Sequence, residues 1–573
     1  MHLFFRQLIV LSSFLILPII IKAQLYTAKQ YPQGYFIYPV KAPIGLNANF
    51  GELRPNHWHM GLDCKTLQRE NVPILAAADG YIAKVKIEPF GFGRAIYINH
   101  PNGYTTLYAH LNAFYPELEK WIQQQQYNKK SWKIFLDSIP PNLFVVSKGQ
   151  FIANSGNTGG SQGPHLHFEI RKTESDKVLN PFLFGFNIPD NVKPLVTKLA
   201  VYDRCQSVYE QSPKLIAVNG NAVAPINIKT EQVSFAITAT DAVNGSTNPN
   251  GIYEATIYDN DVALCGFQLD SIGYDETRYL NAHVDYKLKA KGGSYVQHLS
   301  QLPGYSNGVY KLFKNDGVVN LSDGLVHRIK IIVKDAANNS TQLNFAVQNK
   351  DIANTRCADS LKQSNTANFL TNTINVFDKE DIFFYLPKNA LYDSINFKYA
   401  KVSGKLTGIY SDVHQVHTAT VPLHTYYTIN LKSNSTVPDN MASRMIIKRL
   451  YDNKSEVVKA VRNKDWYSAS FRGFGNFVLL YDALPPNITP IGIANNANMS
   501  KAKGFALLIK DDNDETKNFT ATLDGQWLLF TNDKGKIFKH TFDEKTTSGV
   551  HELKIYVEDE AGNSTEKVIK FVR

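Results

Sequence analysis

Hydrophobic and polar positions alternate over short runs between residues 24 and 188, with Gly- and Pro-rich turns between the runs. Such a two-residue period is typical of strands with one buried face. Examples are the runs 73–87, 94–100 and 105–111. The connection 112–143 is different, because 116–136 has helical composition and spacing and a Pro-Pro pair at 140–141 would end a helix. The pattern predicts an antiparallel β domain over 24–189 with a helical insertion between two strands.

After residue 189 the pattern changes to short strands with turn clusters, which is typical of β-sandwich domains. The segment GLVHRIKIIVKDAANNSTQLNFAV (324–347) aligns on GVHELKIYVEDEAGNSTEKVIKFV (549–572). Each copy has an alternating strand, a D-x-x-x-N turn and a second strand, which indicates two related modules. We therefore predict a mainly β fold, with immunoglobulin-like β-sandwiches at 190–350 and 485–573 and a third β-rich domain at 351–484.

The D-x-x-x-N turns place Asp335 beside Asn338, and Asp559 near Asn563. Clustered oxygen ligands of this kind suggest calcium. Side chains of Asp and Asn also bond their own backbone in turns, which is the simpler interpretation here.

The N-terminal residues have the three parts of a secretory signal peptide. Arg6 is the basic part, residues 8–21 are the apolar part, and cleavage is expected after Ala23. We therefore predict a signal peptide at 1–23 and an exported protein of the periplasm, cell envelope or extracellular space. No later segment is long and apolar enough to span a bilayer, so no transmembrane segment is expected after cleavage.

Composition narrows the class of protein. The chain has 573 residues, which is too long for one core and indicates three or four domains. Its formal net charge of +10 is spread along the chain without a dense basic block, so nucleic acid is not an expected partner. Four cysteines do not form a disulfide framework, although export permits one bridge, for which Cys205 with Cys265 is the first expectation.

Six of the fifteen histidines lie between residues 57 and 167. His59 and Asp63 are four residues apart, and His165 and His167 are two apart, so on strands each pair would share one face. Imidazole and carboxylate are both zinc ligands. His57 lies on the same predicted face as His59, either as a rival ligand or as a neighbour of the ligands. His110 ends an alternating strand, where a lone histidine is more often structural.

The motifs HMGLD (59–63), LYAHL (107–111) and GNTGGSQGPHLHFEIR (156–171) resemble the three signature blocks of the lysostaphin/LytM-type (β-lytic) zinc metallopeptidases. The resemblance covers roughly residues 43–185. It implies that His59, Asp63 and His167 bind Zn²⁺, and that His110 and His165 are catalytic histidines that do not bind the metal. The long insertion after His110 departs from the family pattern and puts the shape of the substrate groove in doubt.

The resemblance implies an exported zinc metalloendopeptidase that hydrolyses peptide cross-links of bacterial peptidoglycan with a zinc-activated water. In this hypothesis His165 activates the water and His110 stabilises the oxyanion. Glu169 either holds a neighbouring imidazole or is a solvated strand residue. The expected partners are peptidoglycan peptide stems, with an envelope polymer or a protein as a candidate partner of the sandwich modules. The alternative is a non-catalytic cell-wall-binding or activator protein on the same fold.

Overall fold

The computed structural model describes residues 25–27, 29–220, 223–244, 246, 248–352, 357, 368–404, 408–513 and 516–573. The predicted signal peptide at 1–23 lies outside this part of the chain. Residues up to Tyr31 form one unit, and Pro32–Arg573 form a second unit, which is described below. Among the helices of the described residues, none has the length and apolarity needed to cross a bilayer. The predicted mainly β fold class is confirmed, because antiparallel sheets dominate every part of the second unit.

The first part of this unit contains one long sheet and one short sheet. The long sheet has the strand order β1-β4-β13-β8-β7-β6-β10, and the short sheet has the order β5-β12-β9. All pairings within these two sheets are antiparallel. The strands are β1 Leu46–Ala48, β2 Leu53–Arg54, β3 His57–Trp58, β4 Leu62–Lys65, β5 Pro73–Leu75, β6 Gly80–Ile87, β7 Arg94–Asn99, β8 Tyr104–Ala109, β9 Leu111–Phe114, β10 Ile134–Leu136, β11 Val145–Val146, β12 Phe151–Ser155, β13 His165–Lys172 and β14 Val178–Leu179.

Strand β13 lies in the middle of the long sheet, between β4 and β8. Its residues Leu166, Phe168 and Ile170 are fully buried in the core, as the sequence pattern predicts. The alternate residues point to the other face of the sheet, where the functional side chains lie.

The insertion contains the predicted helix, α1, at Pro116–Lys129. Its start has a proline in the first turn, together with Glu117 and Glu119, which favour the N-terminal end of a helix. The predicted end at the Pro-Pro pair is wrong. The helix ends at Lys129, because Lys130 adopts the left-handed conformation, and residues 134–136 form β10, which pairs with β6.

We call residues 190–350, 351–484 and 485–573 the first, middle and last modules, using the predicted boundaries as labels. The first module has two sheets packed face to face, with the rings of Phe235 and Phe345 5.1 Å apart across the core. Its elements are β15 Leu195–Asp203, β16 Lys214–Ala217, β17 Ile226–Ile228, β18 Gln232–Thr240, β19 Glu254–Asp259, β20 Val262–Gln268, β21 Ser271–Ile272, α2 Leu280–His283, α3 Tyr286–Ala290, β22 Gln297–His298, β23 Tyr310–Leu312, β24 Val319–Asn320, β25 His327–Lys334 and β26 Ser340–Asn349.

The middle and last modules are also built from paired sheets. The middle module contains β27 Asn368–Phe369, β28 Asn375–Asp378, β29 Ile382–Leu386, β30 Ile395–Asn396, β31 Tyr399–Val402, β32 Val413–Val416, β33 Tyr427–Lys432, α4 Asp439–Ala442, β34 Met445–Tyr451, β35 Lys454–Lys459, β36 Val461–Asn463, β37 Trp466–Phe471 and β38 Gly475–Tyr481. The last module contains β39 Asn487–Ile491, β40 Ala497–Asn498, β41 Gly504–Lys510, β42 Thr516–Leu523, β43 Gln526–Trp527, β44 Thr531–Asp533, β45 Ile537–Thr541, β46 Val550–Asp559 and β47 Ser564–Val572.

The two copies of the sequence repeat fold as equivalent antiparallel hairpins, β25–β26 and β46–β47. The expected disulfide is wrong. Cys205 is bonded to Cys357, whereas Cys64 and Cys265 are buried and free. The Cys265 thiol lies in the core on β20, whereas Cys357, which follows β26 in the chain, lies next to Cys205 of the first module.

The first module also shares a hydrophobic core with the segment that precedes β4. Phe50, Trp58 and Met60 are at most 2% exposed and belong to the same cluster as Phe267 and Leu280. The indole of Trp58 packs on the ring of His283, and its backbone N–H donates to the Thr277 hydroxyl (3.0 Å). The first module therefore buries the residues on both sides of His59.

Candidate metal centre

The register of the long sheet brings two of the predicted site residues together. His167 on β13 lies directly opposite Asp63 on β4, so both side chains lie on the same face. His59 does not share a strand with Asp63, contrary to the sequence-based expectation. It lies in a break between β3 and β4, and that bend brings its imidazole to the carboxylate.

Gly61 allows this bend. A Cβ atom at this position would lie 2.4 Å from the Phe168 carbonyl oxygen and 3.1 Å from Cε1 of His167. A side chain would therefore push the segment away from β13. The absence of a side chain at Gly61 thus leaves room for the neighbouring strand β13.

Three atoms of the site converge on one point. His59 Nε2 lies 2.9 Å from Asp63 Oδ1 and 3.0 Å from His167 Nδ1, and His167 Nδ1 lies 3.0 Å from Asp63 Oδ1. All three residues are buried, with exposures of 6–8%. They form one of two groups of His, Cys, Asp or Glu side chains, among the described residues, whose geometry suits a metal ion.

The outer nitrogen of each imidazole in this triangle is already occupied. His59 Nδ1–H donates to the Asn49 carbonyl (2.7 Å), and His167 Nε2–H donates to the Glu169 carboxylate (2.9 Å). The inner nitrogen of each ring therefore faces the Asp63 oxygen. Two imidazole nitrogens and a carboxylate oxygen this close together need either a shared proton or a metal cation between them.

Zn²⁺ fits this donor set. Two imidazoles and one carboxylate are the three protein ligands of a known type of zinc site with one open position. Zinc bonds of about 2.0–2.1 Å in tetrahedral geometry separate the ligand atoms by roughly 3.3 Å, close to the spacing of this triangle. The charge of the surroundings also favours a cation. Hydrogen bonds to the carboxylates of Asp63 and Glu169 outweigh the effect of burial and raise the pKa of His167 to about 9, so a positive charge is stabilised at this place.

The other two predicted site residues flank the triangle. His165 Nδ1–H donates to the Gly163 carbonyl (2.8 Å), and its Nε2 lies 3.3 Å from Asp63 Oδ1. His110 Nδ1–H donates to the Thr158 carbonyl (2.8 Å), and its ring centre lies 4.8 Å from that of His165. Burial and the neighbouring imidazoles lower the pKa of His110 to about 3, so its ring is neutral at pH 7.

His57 lies away from the triangle. Its side chain is exposed, and its Nδ1 bonds to the Pro55 carbonyl (2.8 Å). The sequence leaves His57 either as a rival ligand or as a neighbour of the ligands, and its contacts in the structure do not agree with a role as a ligand.

A buried polar network supports the metal triangle from behind. Glu169 is fully buried and accepts from His167 Nε2, from Arg171 Nε (2.7 Å) and from the Tyr274 hydroxyl (2.5 Å). Although burial opposes ionisation, Arg171 and His167 lower the pKa of Glu169. The solvated alternative for Glu169 is therefore excluded, and the carboxylate orients an imidazole, as such partners do in metal sites.

Sequence reasoning missed Tyr274, which comes from the first module. Besides its bond to Glu169, its ring lies 5.0 Å from the Arg171 guanidinium and 6.0 Å from the ring of Phe92. Nothing in the residues around it marks it as part of the site, because it lies 105 positions after Glu169. The supporting network thus extends across two parts of the chain.

A His–Asp–His triangle flanked by two further imidazoles could hold one metal ion, and this donor set is one that zinc peptidases use. Residues 57–127 and 144–181 match the model of Peptidase family M23, and the chain carries a domain of that family. Residues 366–482 match the model of the Zu5-like domain, which falls within the middle module.

Two curated relatives are similar to this domain. The DD-carboxypeptidase/endopeptidase Mpg of Neisseria meningitidis serogroup B is 34% identical over 151 residues, which are 26% of this chain and 26% of the relative. The peptidoglycan DD-endopeptidase ShyA of Vibrio cholerae serotype O1 is 30% identical over 139 residues, 23% of this chain and 26% of the relative. The chain thus spans about a quarter of the length of the curated relatives it matches.

Among solved structures, the catalytic domain of lysostaphin from Staphylococcus simulans is 23% identical, covers 24% of this chain and 88% of that chain, and has a TM-score of 0.18. A zinc-containing peptidase from Vibrio cholerae is 24% identical, covers 27% of this chain and 41% of that chain, and has a TM-score of 0.20.

Proposed function

We propose that the chain is an exported zinc metalloendopeptidase that hydrolyses peptide cross-links of bacterial peptidoglycan. The observation that carries the proposal is the convergence of His59 Nε2, Asp63 Oδ1 and His167 Nδ1 within 3.0 Å. The M23 domain and the relatives named for DD-endopeptidase activity support the substrate class. Action on peptidoglycan supports a location in the periplasm, the cell envelope or the extracellular space.

In this proposal His59, Asp63 and His167 hold the zinc, and their buried hydrogen bonds fix the orientation of both rings. Bound zinc would supply a water of lowered pKa and a Lewis acid for the scissile carbonyl. The His165 ring, with Nε2 facing the site and Nδ1 held by the Gly163 carbonyl, is placed to accept a proton on Nε2. The His110 ring has its Nδ1–H held by the Thr158 carbonyl, so it would stabilise the developing oxyanion only after taking up a proton on Nε2.

Two clefts beside the centre are candidates for the substrate path. One is lined by Pro164, the residue before His165, by Ile44 and Leu67, and by Val243, Asn244 and Ser246 of the first module. The other adjoins His110 through Thr158 and is lined by Arg94 and by Asp533 of the last module. We propose that the domain boundaries are those predicted from the sequence, and that two modules narrow the approach to the metal.

The test is mass spectrometry of muropeptides released from purified sacculi by the zinc-loaded chain. His59→Ala and Asp63→Asn should lose both bound zinc and release. His165→Ala should keep near-stoichiometric zinc and lose release by about 10²–10⁴-fold, the usual contribution of a general base. His57→Ala, an exposed histidine two residues from a ligand, is the matched control and should resemble wild type.

The outcomes separate the proposal from the alternative. Intact sacculi after treatment with folded, zinc-loaded protein would contradict the enzyme. Binding of such protein to sacculi without release would instead support a wall-binding or activator protein.

A further inference from the structure

A second group of metal-ligand side chains lies in the first module, far in sequence from the zinc triangle. Carboxylate oxygens of Asp190, Asp241 and Asp335 lie within 4.8 Å of one another. Asp241 is 6% exposed and Asp335 is 2% exposed. None of the three forms an ion pair with a described Lys, Arg or His side chain. Three acidic groups thus share a buried space without a neutralising partner in this part of the structure.

Polar side-chain atoms of this cluster and of the residue paired with it lack hydrogen-bond partners among the described residues. Asp241 Oδ1 has no hydrogen-bond partner among the described residues. Asn250 is 2% exposed, and both polar atoms of its side chain also lack a partner there. Asn250 pairs with Asp241 through two reciprocal backbone bonds of 2.8 and 2.9 Å. Residues paired in this way project their side chains to the same face, so the Asn250 amide lies beside the Asp241 carboxylate.

The turn interpretation of Asp335 explains only part of this arrangement. Asp335 accepts from the backbone N–H and the amide of Asn339, and the backbone N–H groups of Ala337 and Asn338 also donate to it. These bonds come from neutral groups, so they cap the turn but bring no positive charge to the carboxylate. The turn therefore leaves the negative charges of the cluster uncompensated, and it does not account for Asp241 or Asn250.

The last module repeats the arrangement. Asp559 accepts from Asn563 through the same two bonds as Asp335 from Asn339. Asn563 Nδ2 also reaches the Asp482 carbonyl, as Asn339 Nδ2 reaches the Asp190 carbonyl. Asp511 follows β41 as Asp241 follows β18, and these strands pair with β39 and β15 respectively.

Unpartnered atoms also occur at this second position. Asn563 is 3% exposed, and its Oδ1 has no partner among the residues described; the same is true of Asp511 Oδ2. Asp482, Asp511 and Asp559 line one small cavity, with room for about one water-sized body. Each module therefore has three carboxylates and unsatisfied side-chain oxygens near one another, although Asn563 corresponds to Asn339 rather than to Asn250. Of the two acidic clusters, the one in the first module has its carboxylate oxygens within 4.8 Å of one another.

We propose that each of these two clusters binds one Ca²⁺ ion. All ligand atoms on offer are carboxylate and amide oxygens, which are the ligands of a hard cation and not of zinc. Ca²⁺ accepts six to eight oxygens at about 2.3–2.6 Å in flexible geometry, so three carboxylates, one amide oxygen and water complete its shell. Burial and the mutual repulsion of the carboxylates raise the pKa of Asp241 to about 7 and that of Asp511 to about 6. A dication removes that repulsion.

The position of each site indicates its role. Asp190 lies where the chain leaves the peptidase part and enters the first module, and Asp482 lies where the chain enters the last module. The other two carboxylates of each site lie at strand ends inside the module. A bound ion therefore fastens the entering segment to the module. The clefts beside the metal centre are lined in part by these two modules, so calcium would fix their walls.

The test is calorimetric titration of the full, zinc-loaded chain with Ca²⁺ after removal of calcium on a chelating resin. We expect two equivalents to bind, with Mg²⁺ giving at least tenfold weaker binding. Asp241→Asn and Asp511→Asn should each reduce the stoichiometry to one, and the double variant should reduce it to zero. Asp261→Asn, which changes an exposed carboxylate of the first module, is the matched control and should keep two sites.

Limited proteolysis adds a second readout at the junctions near 190 and 482. Calcium should protect both junctions in the wild type, and Asp241→Asn should lose protection only at the first. Should Asp241→Asn fail to fold, Asn250→Ala serves in its place and should weaken one site at least tenfold. Absence of calcium binding, or two sites remaining in the double variant, would overturn the proposal. Neither result would contradict the proposed peptidase activity, because that activity is tested separately by muropeptide release.

Discussion

At the scale of single residues, the metal centre depends on which nitrogen of each imidazole is already occupied. Carbonyl groups hold the outer nitrogens of His59, His110 and His165, whereas a buried carboxylate holds that of His167. Glu169 therefore differs from the other supporting groups, because it carries a charge. The same carboxylate neutralises the buried guanidinium of Arg171 (2.7 Å). One side chain thus contributes both to metal affinity and to folding.

We expect Glu169→Gln to weaken zinc binding by about 10–100-fold, the usual effect of losing a group that orients a ligand. The free energy of unfolding should fall by about 3–5 kcal/mol, because the buried Arg171 loses its counter-charge. Zinc competition with a chelator and urea denaturation measure the two effects. Asp176→Asn removes the other, half-exposed carboxylate on Arg171 and should change stability by less than about 1 kcal/mol. Equal effects of the two variants would contradict this role.

The spacing of the site residues made much of the centre predictable. The H-x-H pair on an alternating strand correctly predicts that His165, His167 and Glu169 share a face, since that depends only on strand geometry. His59 and Asp63 come together for another reason, which is the bend of the chain at Gly61. A prediction that places both residues on one straight strand does not include this bend. Tyr274 was not predictable, because its contact with Glu169 depends on how the first module packs.

At the scale of elements, the repeated hairpins carry their own electrostatic contacts. On β25, His327 Nδ1 lies 2.9 Å from Asp259 on β19, and its Nε2 lies 3.2 Å from Asp323. Burial acts against the charged ring, but the bonds to both carboxylates outweigh it and raise the pKa of His327 above 6.5. A raised pKa means that the folded hairpin binds the proton more tightly than the unfolded chain does.

His327→Gln should therefore destabilise the protein more at pH 5.5 than at pH 8.5. The protonated ring contributes its full stabilisation below the unfolded pKa of about 6.5, and that contribution is lost as the pH rises through the higher folded pKa. Chemical denaturation at both pH values measures the difference. Asp259→Asn should show the same pH dependence, whereas Gln342→Ala on β26, which removes no titrating group, should have equal effects at both. A pH-independent effect of His327→Gln would contradict the contact.

At the scale of the whole molecule, the peptidase part shares a hydrophobic core and a β-sheet with the first module. Phe50, Trp58 and Met60 are buried in the core of the first module, and the long sheet continues through β14 into β21 of that module. From the sequence, the peptidase part and the first module are predicted as separate domains. Hydrophobic alternation indicates which face of a strand is buried, but it does not indicate which other element covers that face. Contacts such as Trp58 with Thr277, 219 positions apart, follow from packing alone.

A chain that ends at residue 189 should consequently be unstable or aggregated, with weakened zinc binding. Each large apolar side chain that loses its burial removes about 1.5–3 kcal/mol of stabilisation, and Trp58 adjoins a ligand. Size-exclusion chromatography and zinc analysis measure the outcome. A chain that ends at residue 484 keeps the first module and is the matched control, expected to remain monomeric with full zinc. A soluble monomer with full zinc affinity from the shorter chain would refute the shared core.

The bond between Cys205 and Cys357 has a consequence for cleavage of the backbone by other proteases. It closes a covalent ring of chain, with a sequence separation of 152, around most of the first module. A single cut of the backbone anywhere inside that ring leaves both fragments in one molecule. The partners of Trp58 and Glu169, Thr277 and Tyr274, lie within the ring. Damage to an exposed turn there would therefore open the chain without releasing the side chains that support the metal centre.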